Sequence, residues 1–191
     1  SIASALVLNI GTLTVGFVEA MKLAAKSANK KGIPVVLDVC GAGATPLRDQ
    51  MCFELLDEVK IDIIKGNASE VARVSGEEVK TKGVDAGNVD SDIVKVAKGL
   101  SQKRKCTVVI TGKEDIVTDG TKVYIVKNGD SMMTHVVGTG CMATSVIGTF
   151  AAVEKDLAYA SAAALACYGI AAECAAGQAR GPGSFKENIF D

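Results

Sequence analysis

The chain has 191 residues, 48% of them hydrophobic and 23% charged, and its 21 basic and 22 acidic side chains leave a formal charge of −1. A chain of this length buries roughly 70% of its unfolded surface, so it folds without disulfide or metal staples, and the composition excludes a disordered tail or a fibrous protein. Neither sign of charge forms a block and aromatic residues are only 4%, which argues against a nucleic-acid binder, with its basic stripe and base-stacking rings.

In chain order, Ala5 to Ile10 is a short aliphatic block ending at Gly11 and reads as a buried strand. From Thr14, apolar residues recur at helical spacing (Phe17, Met21, Ala24, Ala28) until Lys31-Gly32 stops the pattern. Pro34 opens a second strand, Val35 to Leu37, closed by Asp38. A helix follows from about Thr45 to Val59, then a strand from Ile61 to Ile64, a short helix after Asn67, and a polar, glycine-dotted loop at roughly 76–90. Ile93, Val96, Ala97 and Leu100 mark the next helix, and Thr107 to Thr111 the next strand. Asp115–Asp119 and Thr121–Lys127 alternate around Asp119-Gly120, a hairpin signal. After Gly138-Thr139-Gly140 come two helices rich in small residues, about 141–153 and 156–177.

Strands alternating with helices predict an α/β fold with a mainly parallel sheet, helices on both faces and the hairpin as an antiparallel extension at one edge. No linker, repeat or low-complexity segment divides the chain, so residues 1–191 read as one domain. The chain enters a buried strand almost at once, and a leading segment is expected before it. Residues 157–176 are apolar enough to raise a membrane span, but weakly apolar Ala dominates them and Glu173 lies inside. A helix buried on all sides in a core is the expectation instead, with no membrane partner.

The six cysteines at 40, 52, 106, 141, 167 and 174 form no C-x-x-C pair, and His135 is the only histidine. This usage suits a reduced, cytoplasmic protein better than a disulfide scaffold or a zinc site. Cys167 and Cys174 share one face of an apolar helix and, like Cys52 and Cys106, read as packing residues; Cys40 is ambiguous. Cys141 differs, because it stands at a helix start beside a glycine turn, where reactive thiols are found.

In open parallel sheets ligands bind beyond the carboxyl ends of the strands. The second strand ends in Asp38-Val-Cys-Gly41-Ala-Gly43-Ala-Thr45, the third in Lys65-Gly66-Asn67-Ala-Ser69-Glu70, the fourth in Thr111-Gly112-Lys113. Gly138-Thr139-Gly140-Cys141 then precedes a helix. Its glycines let backbone N–H groups approach an anion, and the helix aims its positive end there, which suits a phosphoryl group in transfer; a tight packing turn is the plainer alternative. There is no Walker loop, and Gly41-Ala-Gly43 lacks the third glycine of a dinucleotide fingerprint. Asp38 and Glu70 are hard oxygen donors suited to Mg²⁺ held mostly through water and phosphate, or a helix cap and a solvated first-turn Glu. Lys65 is placed to reach nucleotide phosphates or to snorkel to the surface. Thr111-Gly112 can bond a phosphate or merely turn the chain, and His135 reads as a loop or packing residue.

At these residues the sequence resembles the hydroxyethylthiazole kinases, a ribokinase-like family of thiamine biosynthesis and salvage. The matching pieces are ALVLNIGTL, VVLDVCGAGAT, IIKGNASEV, VVITGKEDIVTDG, VVGTGCMATSVIG and GPGSF, which span nearly the whole chain in order. Most ribokinase-like small-molecule kinases have Asp after the glycine turn, and Cys there is characteristic of the thiazole kinases. The resemblance implies ATP-dependent phosphorylation of 4-methyl-5-(2-hydroxyethyl)thiazole at its primary alcohol. It implies ATP contacts at Lys65, Asn67 and Thr111, a thiazole contact at Gly138, and Mg²⁺ at Asp38 and Glu70, directly or through water. Gly140 and Cys141 would be catalytic, the backbone cradling the phosphoryl group and the thiol beside the attacking hydroxyl. Family members look like homotrimers with sites between subunits. Here Val39-Cys40 replaces the usual Pro-Val, and family chains carry a longer leading segment that helps build the thiazole pocket. The alternatives are a related kinase for hydroxymethylpyrimidine or a sugar, a lyase resembling NAD(P)H-hydrate dehydratase, or an inactive truncated nucleotide-binding module; Cys141 argues against the first two.

Overall fold

The computed structural model describes residues 2–76 and 91–191. Six strands form one sheet in sequence order: β1 (Leu6–Asn9), β2 (Val35–Asp38), β3 (Ile63–Asn67), β4 (Thr107–Thr111), β5 (Asp115–Thr118) and β6 (Val123–Val126). The first four are parallel, and β5 and β6 add antiparallel at the far edge, as the alternation around Asp119-Gly120 predicts. Asp119 Oδ1 accepts from the Thr121 and Lys122 amides and Gly120 takes φ 92°, which closes that hairpin.

Strand order decides where the helices go. Consecutive right-handed crossovers that always step in one direction must lay their helices on one face. Helices α1 (Val15–Lys31), α2 (Pro46–Glu58), α3 (Ala68–Ser75) and α4 (Ser91–Arg104) accordingly share one core with the strand residues Leu8, Leu37, Ile64, Val108 and Ile110. Their alternate neighbours Val36, Ile63, Val109 and Val117 point the other way, onto α5 (Thr139–Ala151) and α6 (Leu157–Gln178). The sheet is therefore covered on both faces, and α5 lies over β1 and β2 while α6 covers β4 to β6.

Several expected boundaries move. Strand β3 begins at Ile63 and runs on through Lys65, so Lys65 is inside the sheet rather than beyond it. Helix α5 begins at Thr139, which puts Gly140 and Cys141 in its first turn. Two elements go beyond the sequence reading, a 3-10 helix at Ser131–His135 and α7 at Pro182–Asn188, which Phe185 anchors by full burial. Helix α6 is not buried on all sides: Tyr159 and Ile170 are exposed, and so are Cys167 and Cys174, which are therefore not core residues. Cys52 and Cys106 are buried as expected. Helix α6 is long and apolar enough to span a membrane, yet half of its apolar window packs inside the fold. Past Gly76, the polar loop expected at 76–90 falls outside the described residues.

Candidate active site

The parallel register sets one row of polar residues across the carboxyl edge of the sheet. Asn9 pairs with Asp38, Asp38 with Lys65, and Asn67 with Thr111. Cross-strand partners share a face, and the row from Asn9 to Lys65 lies on the side that α5 covers. Asp38 and Lys65 are almost completely buried, at 0% and 4% exposure. Lys65 thus does not snorkel: its Nζ lies 3.4 Å from Asp38 Oδ2. Thr144 of α5 donates to the same oxygen at 2.7 Å and Asn9 Nδ2 at 3.1 Å. Asp38 Oδ1 is buried with no hydrogen-bond partner.

Helix α5 brings its amino terminus to this row. Gly138, the residue before the helix, has φ 98°, a left-handed conformation in which an L side chain is strained. No side chain caps the helix; Met142 makes the first intrahelical bond to Gly138, which leaves the Thr139, Gly140 and Cys141 amides for a ligand. A Cβ on Gly140 would stand 3.4 Å from Lys65 Nζ, so the lysine amino group lies directly beside this first turn. The turn is fixed from behind: Thr139 Oγ1 donates to the Met133 and Val136 carbonyls, and Tyr168 Oη to the Thr139 carbonyl. Burial pushes the Tyr168 phenol up to about 12, so it stays a neutral donor.

Cys141 is exposed, and its Sγ accepts from Asn9 Nδ2 at 3.3 Å. One Asn amide therefore joins the thiol to Asp38 through its two hydrogens. Burial pushes the Cys40 thiol up, followed by the charges of Asp38 and then Cys141. Burial pushes the Cys52 and Cys106 thiols up to about 12, which makes both inert.

Glu70 closes the second loop of the site. Its Oε2 accepts from Asn67 N and its Oε1 from Gly41 N, each at 2.7 Å, while Asn67 Oδ1 accepts from Glu70 N. The capping box and the Gly41 turn thus share one carboxylate. Arg48 ties down the same turn by donating to the Ile10, Gly11 and Cys40 carbonyls. Thr111 Oγ1 makes only a 3.5 Å contact to the Gly66 carbonyl and is available to a ligand.

Among the described residues no group of three or more His, Cys, Asp and Glu side chains is set to hold a metal. The donor set fits a cation held mostly by water and phosphate: Asp38 offers an unsatisfied oxygen, and Glu70 keeps the lone pairs its two amide bonds do not use. A cavity of about 560 Å³ lies elsewhere, at the opposite end of the sheet against Pro34, Lys60, Asp62 and Glu154, and shares no residue with this row. The site is an open sheet edge, and we place the chemistry there because the buried charge pair and the free helix amides converge on it. Asn9 and Thr144 are the residues the sequence reading missed. Asn9 had a usable signal, the last position of a parallel strand; Thr144 lies inside a helix and had none. His135 is exposed on the 3-10 helix, with its ring Nδ1 3.2 Å from the Ser131 carbonyl.

The Hydroxyethylthiazole kinase family model matches residues 1–191. The chain belongs to the hydroxyethylthiazole kinase family. A hydroxyethylthiazole kinase of Methanosarcina acetivorans is 53% identical over all of this chain and 73% of its own length. The solved hydroxyethylthiazole kinase of Pyrococcus horikoshii superposes with a TM-score of 0.89 at 38% identity, over 99% of this chain and 70% of that one. A ribokinase-like protein of Enterococcus faecalis, 13% identical, gives a TM-score of 0.68 over 96% of this chain and 61% of that one, which shows the shared fold. The fold is thus ribokinase-like, and the family's activity is that of a kinase.

Proposed function

We propose that the protein uses ATP to phosphorylate the primary alcohol of 4-methyl-5-(2-hydroxyethyl)thiazole, with the first turn of α5 as the phosphoryl cradle. The observation that carries this reading is the convergence on one sheet edge of the Lys65–Asp38 pair, the uncapped Thr139–Cys141 amides and the exposed Cys141 thiol. Phosphoryl transfer rests chiefly on positioning and charge stabilisation, and the site supplies both. Lys65 and the amides of Gly140 and Cys141 receive charge that grows on the transferring group. Cys141 takes the hydroxyl proton, held toward the substrate by Asn9. Gly138 borders the thiazole, and Asn67 and Thr111, adjacent in register, contact the nucleotide. Mg²⁺ neutralises phosphate charge when it accompanies ATP; Asp38 and Glu70 are the residues that would hold it, with water and phosphate completing the shell.

The reading carries a cytoplasmic location, supported by six free cysteines, and a homotrimer, supported by apolar surface left open at Val15, Phe17, Leu23 and Leu47. Mass spectrometry of the thiazole phosphate, with ATP and thiazole alcohol as substrates, tests the chemistry. Cys141→Ala should lower turnover by ~10², the lower end of general-base effects in a loose transfer, while ATP affinity is kept. Cys141→Asp should retain at least wild-type turnover, because a carboxylate also accepts from Asn9 and is ionised at neutral pH. An Ala variant with wild-type turnover and a dead Asp variant would reduce Cys141 to a packing residue.

A further inference from the structure

Cys40 stands on the loop after β2 and Cys141 in the first turn of α5, and both thiols border the Asn9–Gly11 turn although 101 positions of sequence (141 − 40) separate them. The surroundings hold them together. Asn9 Nδ2 contacts Cys141 Sγ at 3.3 Å, and a Cβ on Gly11 would sit 2.8 Å from Asn9 Oδ1 and 3.5 Å from Cys40 Sγ. Arg48 pins the Cys40 carbonyl at 3.2 Å, and Gly41 is held by Glu70 at 2.7 Å, so the loop presents Cys40 from a fixed backbone. Cys141 is exposed and Cys40 half-buried, so an oxidant reaches the first and the second waits beside it.

The remaining cysteines offer no such pair. Cys52 and Cys106 are buried, and Cys167 and Cys174, seven residues apart on α6, stand about 10 Å apart along the helix axis, beyond disulfide reach.

We infer that Cys40 and Cys141 form a reversible disulfide under a peroxide oxidant, and that this bond switches the site off. Hydrogen peroxide oxidises the Cys141 sulfur by two electrons: its O–O bond breaks, an S–O bond forms, and water leaves. The Cys40 sulfur then attacks the sulfenic sulfur; the S–S bond forms, the S–O bond breaks, and the hydroxyl departs as water with the Cys40 proton. A dithiol returns two electrons and two protons and restores both thiols. The bridge takes the Cys141 sulfur away from Asn9 and from the substrate hydroxyl. The bridge follows from the placement of both thiols at the Asn9–Gly11 turn, whereas the loss of activity rests on the proposed role of Cys141.

The test treats the reduced protein with hydrogen peroxide, alkylates free thiols, and maps peptides by mass spectrometry beside a turnover assay. The expected result is the loss of two alkylatable thiols, a cross-linked peptide pair containing Cys40 and Cys141, and an activity loss of roughly tenfold or more that dithiothreitol reverses. Cys40→Val and Cys40→Ser, two variants in case one folds poorly, should form no cross-link, and their Cys141 should proceed to sulfinic acid that dithiothreitol does not rescue. Cys40 still alkylatable after Cys141 is oxidised overturns the inference, as does a cross-link that leaves activity intact. A reduced protein without kinase activity would fail the functional reading, while the thiol map alone would still decide the bridge.

Discussion

Lys65→Met removes the cation of the buried pair while keeping a side chain of similar length in the sheet. At 3.4 Å and an effective dielectric of ~20, the attraction between the two charges is about 5 kcal/mol. Desolvation offsets much of that while the pair is intact, but it is not recovered when only one partner is removed. The variant leaves Asp38 at 0% exposure without its counter-charge, a change that typically costs 3–5 kcal/mol. Thr144 and Asn9 still donate to Oδ2, which puts the expectation at the lower end, about 3 kcal/mol. For a domain of this size that is a drop of roughly 6–12 °C in Tm.

Urea unfolding with a double-mutant cycle checks the reasoning. Asp38→Asn alone should also destabilise, because it strands the buried Lys65. The double variant should lose less than the sum of the singles by about 2 kcal/mol or more, since neither charge is then unpaired. Singles that add within about 0.5 kcal/mol would show that the two groups do not sense each other, and the electrostatic account of the site would fall with them. Turnover is a separate readout: Lys65→Met should lose ~10² or more even under conditions where it is fully folded.

Gly138 and Gly140 should separate backbone strain from site crowding. Gly138→Ala forces an L residue to φ 98° and should destabilise by about 1–2 kcal/mol, with nothing within 4 Å for its Cβ to strike. Gly140→Ala lies in regular helix, so its stability should hold or rise by up to about 1 kcal/mol; its Cβ against Lys65 should nonetheless cut turnover by roughly tenfold or more. Equal stability for both, by thermal melts, would contradict the assignment. Asp115 provides a pH test, because burial pushes its carboxyl up to about 6 from 3.8, against the Gly112 amide and the Lys65 charge. A folded value above the unfolded one means stability from this group is present below about pH 4 and lost as pH rises to about 6. Asp115→Asn keeps an acceptor for Gly112, so the stability difference between variant and wild type should shift in the variant's favour across that window. Parallel profiles would refute it. Glu54 and Glu58, held low by hydrogen bonds from Lys22, lose their contribution in the opposite sense as pH falls, and cancel in the difference.

What the sequence shows well is what repeats locally. The alternation of apolar strands with periodic helices yields the sheet, and Asp119-Gly120 yields the hairpin, because each signal lies within a few residues. The β3 boundary fails because Lys65 looks like the end of an apolar run. A partner on the neighbouring strand lets it stay inside, and that partner, Asp38, is 27 residues away. Helix α7 hides behind Gly181-Pro182-Gly183, a breaker pattern, although Pro suits the first helical turn and buried Phe185 pins the segment. Helix α6 shows the same limit from the other side. Its small residues let α5 approach closely, but an apolar face looks alike in sequence whether a neighbour covers it or not, and so Cys167 and Cys174 read as core.

The site divides along the same line. Asp38, Lys65, Glu70 and the 138–141 turn were legible because strand ends and glycine turns mark themselves. Asn9 ends a strand and carried the same signal, but its partner comes from register, and Thr144 had no signal because its role comes only from helix placement: Asn9 meets Asp38 across 29 residues and Thr144 meets it across 106. These two are also the links that make one site out of two parts. The sheet contributes the buried charge pair, and α5 contributes the amides and the thiol; Thr144 and Asn9 tie Asp38 to α5 directly, beside Lys65 at the Gly140 turn. A phosphoryl group and an alcohol must meet in line within a few tenths of an ångström to react at a useful rate. Asn9 and Thr144 therefore share in setting the precision of the site with the motif residues that announce it.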